Sequence, residues 1–318
     1  MKYSGIGGQA VIEGIMMMKG EDYAVAVRRP DKEIEVKKDT YQSITKKAKI
    51  LQLPFVRGVF RFADSMIIGM RSLTYSASFF EDDEDAEPGK FEQFLDRVFG
   101  EKLESAIMAA VLVISFILAI GIFMLLPLGI ANLFKGIITS DHLMAVLEGV
   151  IRIAIFIIYI KLVSRMEDIR RTFMYHGAEH KCINCVEHGH PLTVKYVRES
   201  SKEHKRCGTS FILIVMVISI LMFMVIRVDT IWMRILSRII LVPVIAGISY
   251  EVLQCAGRSN SKFMDLVSRP GMWMQGLTTK EPDDSMIEVA IAATEAVFDG
   301  REYLTENFPG WEKQLEES

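Results

Sequence analysis

Two stretches of this chain carry no ionisable side chain at all: Ala106 to Phe134, 29 residues, and Gly208 to Ile226, 19 residues. As helices rising 1.5 Å per residue, each is long enough to cross roughly 30 Å of hydrocarbon. Backbone in lipid must satisfy its own hydrogen bonds, so runs this long in a chain that is also 24% charged read as spanning helices. The chain has 318 residues, half of them apolar, with a mean hydropathy of +0.26. That composition excludes a disordered or fibrous protein, and the segregated charge excludes a single ordinary soluble domain. The expected fold class is an α-helical integral membrane protein of about four transmembrane helices, with a small N-terminal β-rich cytosolic unit and an interfacial amphipathic helix.

The spans are expected at about 106–128, 143–164, 208–226 and 235–256. The second carries Glu148 and Arg152 and the fourth Arg238 and Glu251, charges that are costly at mid-bilayer. Glu148 precedes Arg152 by four, the favoured order for a helical ion pair, which points to a structural network or to a polar path for an anionic headgroup. Residues 1–79 hold 13 Lys and Arg and residues 161–207 hold 10, against one each near Lys135 and Arg227. The positive-inside rule then puts both termini and the segment between spans two and three in the cytosol. Arg234 and Arg238 dissent, unless they snorkel to the outer interface beside Trp232. Met1 to Gly20 lacks the pattern of a signal peptide.

Around the spans the chain divides into a β-rich unit (1–50), an interfacial helix with an acidic linker (54–104), spans one and two (105–165), a His/Cys segment (166–207), spans three and four (208–256) and a cytosolic helical region (257–318). Tyr23–Val27 and Glu33–Lys37 alternate as strands about an Arg29–Lys32 turn. Gly7, Gly8, Gly14 and Gly20 lack phosphate-loop spacing and read as turn residues. From Pro54 to about Ser76, a helix carries Arg57, Arg61, Asp64 and Arg71 on one stripe opposite Met66, Ile67, Met70 and Leu73, an interfacial pattern. Glu81 to Glu87, six acids in seven residues, reads as a solvated linker before a short helix over 90–104 and shapes the net charge of −3. Nothing in that balance points to nucleic acid. Arg269 to Trp273 looks interfacial, and Asp283 to Phe298 reads as a capped amphipathic helix.

Only ten residues are His or Cys, and eight of them fall between His176 and Cys207. His176-Gly-Ala-Glu179-His180 is an H-x-x-E-H pattern: on a helix the two imidazoles share a face and can bind Zn²⁺ or another divalent metal, with Glu179 as general base. His204 and Cys207 are the candidates to complete the ligand set. Gly177 costs roughly 1 kcal/mol relative to alanine inside a helix, so a break there is expected. The plainer alternative makes the histidines juxtamembrane polar groups bonded to backbone or lipid phosphate. Cys182 and Cys185 allow half a structural zinc site completed by His188 or Cys207, a redox pair, or two inert buried thiols. Four cysteines are too few for a disulfide scaffold, so free thiols in a reducing cytosol are expected. Cys255 reads as a small apolar residue of span four. Glu251 could support the histidine cluster or be a solvated interface residue.

Gly7-Gly-Gln-Ala-Val-Ile-Glu-Gly14, His176 to Lys181, Arg206-Cys-Gly-Thr-Ser210 and Leu277 to Asp284, in this order, resemble the YqhQ family of bacterial membrane proteins over nearly the whole chain. That family is a domain of unknown function carrying the label of a predicted metal-dependent enzyme. The resemblance implies a bacterial plasma-membrane location and draws in Gln9 and Glu13, the latter as a residue that could complete a site with the histidines. Two functions follow as expectations. One is a metal-dependent hydrolase at the cytosolic membrane interface, acting on a lipid-linked or membrane-inserted substrate. The other is a non-enzymatic scaffold or protein-biogenesis factor for other membrane proteins, with at most a structural metal. Either way the lipid bilayer is a partner.

Overall fold

The computed structural model describes residues 2–80, 103–226, 230–258 and 261–315. The acidic run, most of the short helix expected after it, and the side chains of Arg234 and Arg238 lie outside the described residues.

Four strands, β1 (Ile6–Val11), β2 (Gly14–Lys19), β3 (Asp22–Arg28) and β4 (Ile34–Thr40), form an antiparallel meander in chain order. The β3–β4 hairpin forms where the alternation and the Arg29–Lys32 turn put it. The glycines ahead of it are corrected: Gly7, Gly8 and Gly14 lie inside β1 and β2, and only Gly20, at φ +69°, serves a turn. These strands resist recognition because both faces of the sheet are covered, which erases polar alternation and yields runs such as Ile15-Met-Met-Met18. Ile6, Ile15, Met17 and Ala26 pack to one side and Val11, Met16, Tyr23, Val25 and Val27 to the other.

Helix α1 (Val56–Ala77) covers the second face through Ile68. Its buried Asp64 accepts hydrogen bonds from Tyr41, Ser43 and the Ile44 amide, while Phe62, Met66, Met70 and Leu73 form an exposed apolar stripe. The interfacial reading of this helix therefore rests on a surface with no polar cover. Helix α2 (Leu103–Ile120) continues through a π turn (Gly121–Leu125) into α3 (Leu126–Asn132), and α4 (Asp141–Val163) follows. In this second unit Phe123 meets Phe156 and Tyr159 edge-on, and Glu148 pairs with Arg152 at 2.7 Å.

Helix α5 (Glu167–Glu187) lies on the first face of the sheet, followed by α6 (Val194–Glu199), α7 (Gly208–Val225), α8 (Ile231–Arg258), α9 (Lys262–Thr278), α10 (Asp284–Val297) and α11 (Gly300–Asn307). Tyr175, Ala178, Cys182, Ile183 and Val186 of α5 and Met286, Ile287, Val289, Ala290 and Ala293 of α10 complete the core against the sheet. Four helical stretches, Val113–Asn132, Asp141–Val163, Gly208–Val225 and Ile239–Gly257, are long and apolar enough to cross a membrane. The chain is thus an α-helical membrane protein with a small antiparallel sheet at its N-terminus. Where α1 crosses α8, the missing Cβ atoms of Gly58 and Gly247 allow the backbones to touch, and Arg57 grips Glu251 with two hydrogen bonds of 2.7 and 2.5 Å. Glu251 therefore anchors α1 and does not serve the histidines.

Candidate metal centre

Helix α5 runs unbroken through Gly177, contrary to the expectation of a break. The glycine has a different cause: a Cβ there would run into the backbone carbonyl of Lys280, whose amide donates to the Phe173 carbonyl at 2.9 Å. The loop after α9 is thereby laid flat on α5, and this brings the Thr278 carbonyl to 3.0 Å from His176 Nδ1.

A second loop, 198–204, is captured by carbonyl oxygens. His180 Nδ1 lies 2.7 Å from the Lys202 carbonyl, Lys181 donates to the carbonyls of Arg198 and Ser200 at 2.8 Å each, and Asn184 donates to those of Ser201 and Glu203 at 2.7 and 2.9 Å. Three side chains of α5 thus fix the segment that leads into Cys207. The structural roles of Lys181 and Asn184 were not visible in the sequence, although the offset of four from His180 puts Asn184 on the same face.

A carbonyl oxygen can only accept, so both imidazoles donate from Nδ1, which leaves Nε2 as the ring atom that can serve a cation. Backbone anchoring of this kind orients metal-ligating histidines. His176 Nε2 is 3.2 Å from Cys207 Sγ, the His176 and His180 rings are 4.4 Å apart, and one ligand atom from each of the three residues lies within 4.8 Å of the others. Cys207 caps α7, its sulfur accepting from the Thr209 amide at 3.3 Å. Two imidazole nitrogens and a sulfur, with the rings oriented by backbone carbonyls, fit a borderline-soft cation such as Zn²⁺.

Glu179 is buried on the sheet side of α5, where the absence of a side chain at Gly8 leaves it room and the Gly8 amide hydrogen-bonds its carboxylate. Burial pushes its carboxyl above the usual range, against the opposing pull of His176 and the Gly8 amide. The glycine-rich strand and the histidine block, more than 160 residues apart, meet at this contact.

The remaining expected site residues are elsewhere. His204 is not part of the trio: its Nε2 faces Glu187 at 3.5 Å, and its backbone is held by Gln275, which accepts from the His204 amide and donates to its carbonyl. Burial lowers its pKa and keeps it neutral. Glu187, fully buried, also accepts from the Ser4 amide and hydroxyl and from Arg206. Burial alone would raise its carboxyl, but His204, Arg206 and the Ser4 amide hold it down at about 2. Glu13 does not complete the histidine site either. Both its oxygens are taken by Arg171 at 2.5 Å, and the Tyr175 hydroxyl adds a contact of 3.3 Å. Gln9 points to the opposite face of the sheet, against Gly69 of α1.

Cys182 and Cys185 are fully buried in the core and stand apart from the trio. Burial pushes the Cys182 thiol well up and Cys185 to about 12, so neither is a ready nucleophile or ligand. His188, offered to complete their site, is bonded to the Asn184 carbonyl at 2.8 Å.

A family model described as "Protein of unknown function (DUF1385)" matches residues 53–300. The "Uncharacterized protein YqhQ" of Bacillus subtilis (strain 168) is 35% identical over 286 residues, covering 90% of this chain and 89% of that protein. No solved structure matches the chain. Neither description assigns an activity, so the label of metal-dependent enzyme gains no support from them.

Proposed function

We propose that this chain, which belongs to the DUF1385 family and is similar to the YqhQ protein along nearly its whole length, is a metal-dependent hydrolase working at the cytosolic face of a bacterial plasma membrane. The observation that carries this reading is the convergence of one ring nitrogen each of His176 and His180 with Cys207 Sγ, all within 4.8 Å of one another. Three protein ligands with a free coordination position are the mark of catalytic zinc, whereas structural zinc takes four. When bound, the cation would supply Lewis acidity and an acidified water. Thr278 and Lys202 orient the imidazoles, and Glu179, a neighbour of both histidines on the same helix, is the group to accept and return a proton. All four blocks of the family resemblance touch this region: Gly8 at Glu179, the histidine block itself, Cys207, and the 278–281 loop. The Lys and Arg excess of residues 1–79 and 161–207 supports a cytosolic position for both termini and the site.

The 3.2 Å contact between Cys207 Sγ and His176 Nε2 favours a second reading, a cysteine nucleophile activated by a histidine that the Thr278 carbonyl orients. Metal analysis of the full chain in detergent separates the two. The metal reading expects stoichiometric zinc that His176→Ala and His180→Ala both lose, and a Glu179→Gln protein that keeps its metal but fails to complement a deletion strain. Metal-free wild type that complements, and that iodoacetamide inactivates at Cys207, would establish the nucleophile instead.

A further inference from the structure

Helices α7 and α8 part company with α9 at a cavity of about 300 Å³. Its walls are Ser210, Ile214 and Val217 of α7, Leu253 and Ala256 of α8, and Gly271 of α9, with Lys205 at one end. Of its polar groups, Lys205, paired with Asp265 at 2.6 Å, and Ser210 sit where the chain enters α7, beside Cys207, and Ser268 belongs to α9; the lining from α7 beyond Ser210 and from α8 is aliphatic. Ser210 lies three residues past Cys207, which is about 4.5 Å along the helix axis. The same serine accepts a hydrogen bond of 2.9 Å from Gln275, the side chain that also grips the His204 backbone. One end of the cavity is therefore built into the frame that positions the ligand trio.

The other end opens to the outside of the helices. Val217 belongs both to the wall and to the outward face of α7, where it is 44% exposed, one turn before exposed Leu221. Both long walls are helices apolar enough to span a membrane, which puts the opening at the depth of hydrocarbon. Small residues leave room near its polar end, where Gly271 abuts Ser210 and Ala256 contributes only a methyl group, while the rest of the wall is branched aliphatic. Ligand cavities have this make-up, an apolar wall with a few polar groups at one end that fix orientation.

We propose that this cavity binds one acyl chain of a bilayer lipid, entering sideways between α7 and α8, with the polar end of the molecule held at Lys205 and Ser210 next to Cys207. The substrate class of the proposed hydrolase is then an acylated lipid; that last step rests on the enzyme reading, whereas acyl binding itself does not.

The test uses the full chain, purified from membranes, taken through exhaustive detergent exchange, and assayed for retained lipid by mass spectrometry. In parallel, it is reconstituted with phosphatidylglycerol bearing a mid-chain diazirine. Wild type is expected to retain lipid near stoichiometry and to crosslink at Ile214, Val217 or Ala256. Ala256→Leu and, at a half-exposed position that tolerates change, Val217→Phe should each lower retention at least tenfold while labelling of outward-facing Leu221 persists. Wild type that retains only detergent, or retention untouched by both variants, overturns the proposal. His176→Ala should keep its lipid. Zinc absent with lipid retained counts against the enzyme alone, and zinc present with no lipid counts against the cavity alone.

Discussion

Two polar clusters, centred eleven residues apart on α5 at His176 and Glu187, are built on opposite principles. Around Glu187 the groups neutralise one another: a carboxylate takes Arg206, two donors from Ser4 and the edge of a neutral His204, while Arg206 stacks over Tyr3. Around His176 the groups are turned so that their lone pairs face each other, two Nε2 atoms and a sulfur, with every anchoring hydrogen bond made from the far side of the ring. In the first arrangement the charges are matched within the cluster, although the Nη1 of Arg206 is left without a hydrogen-bond partner. The second makes chemical sense with a cation in the middle. A cluster built for stability should lose stability when cut, and a cluster built for binding should lose its ligand with little change in fold.

The largest expected effect is at the first cluster. Glu187→Gln leaves Arg206 buried without its counter-charge and should cost about 4 kcal/mol, read from thermal or denaturant unfolding in detergent. Because the folded carboxyl titrates at about 2, below its ordinary value near 4.5, its contribution is full above the ordinary value and is lost as the pH falls between the two. Wild type should therefore weaken over that acid window, and the glutamine variant should show a flatter profile there. An unchanged unfolding midpoint in Glu187→Gln would break the comparison at its stronger side.

Next comes the glycine that joins the loop to the site. Gly177→Ala improves helix propensity yet pushes a methyl group into the Lys280 carbonyl, so the outcome weighs roughly 1 kcal/mol of gain against overpacking of about 3. A net loss of about 2 kcal/mol is expected, with weaker metal retention because the Thr278 carbonyl moves off His176. A stabilised variant would show that the loop is free to retreat.

How much of this could be read in the sequence depends on the range of the contact involved. Uncharged runs announce the spans because the bilayer acts on composition, and the pair His176/His180 is legible because a helix fixes i and i+4 on one face. The β3–β4 hairpin is legible for the same local reason. Glu13 and His204 went astray because partners far along the chain hold them: Arg171 is 158 residues from Glu13, and Gln275, which grips the His204 backbone, is 71 residues from it. Spacing says that a carboxylate is available, not which cation reaches it first. Gly177 misled for a related reason, since propensity counts what the helix loses and not what docks on it. Gln275 and Thr278 gave a signal only as flanks of the 277–284 block, because their work is done through backbone groups.

A smaller effect follows for Glu13. Its pairing with Arg171 is partly open to solvent, with 23% and 43% of the two side chains exposed, so Glu13→Gln should cost only about 1 kcal/mol. Metal content should not move. Zinc lost from Glu13→Gln would return this residue to the site and undo the separation between the clusters.

Smallest of all, and most telling, is Cys207→Ser. The cysteine caps α7 through a sulfur contact of 3.3 Å to the Thr209 amide, a position where serine is among the preferred residues and a thiol is a weak acceptor. If holding the helix were its purpose, serine would do the work better. In metal-free protein the substitution should therefore leave stability within about 0.5 kcal/mol of wild type. The hydroxyl is a much poorer ligand for a borderline-soft cation than a thiolate, so zinc retention should fall steeply in the same protein. Unfolding of the two metal-free proteins side by side, followed by zinc titration against a competing chelator, measures both halves. A Cys207→Ser protein that binds zinc as well as wild type but unfolds far more easily would reverse the roles assigned to the two clusters, because the thiol would then be part of the fold.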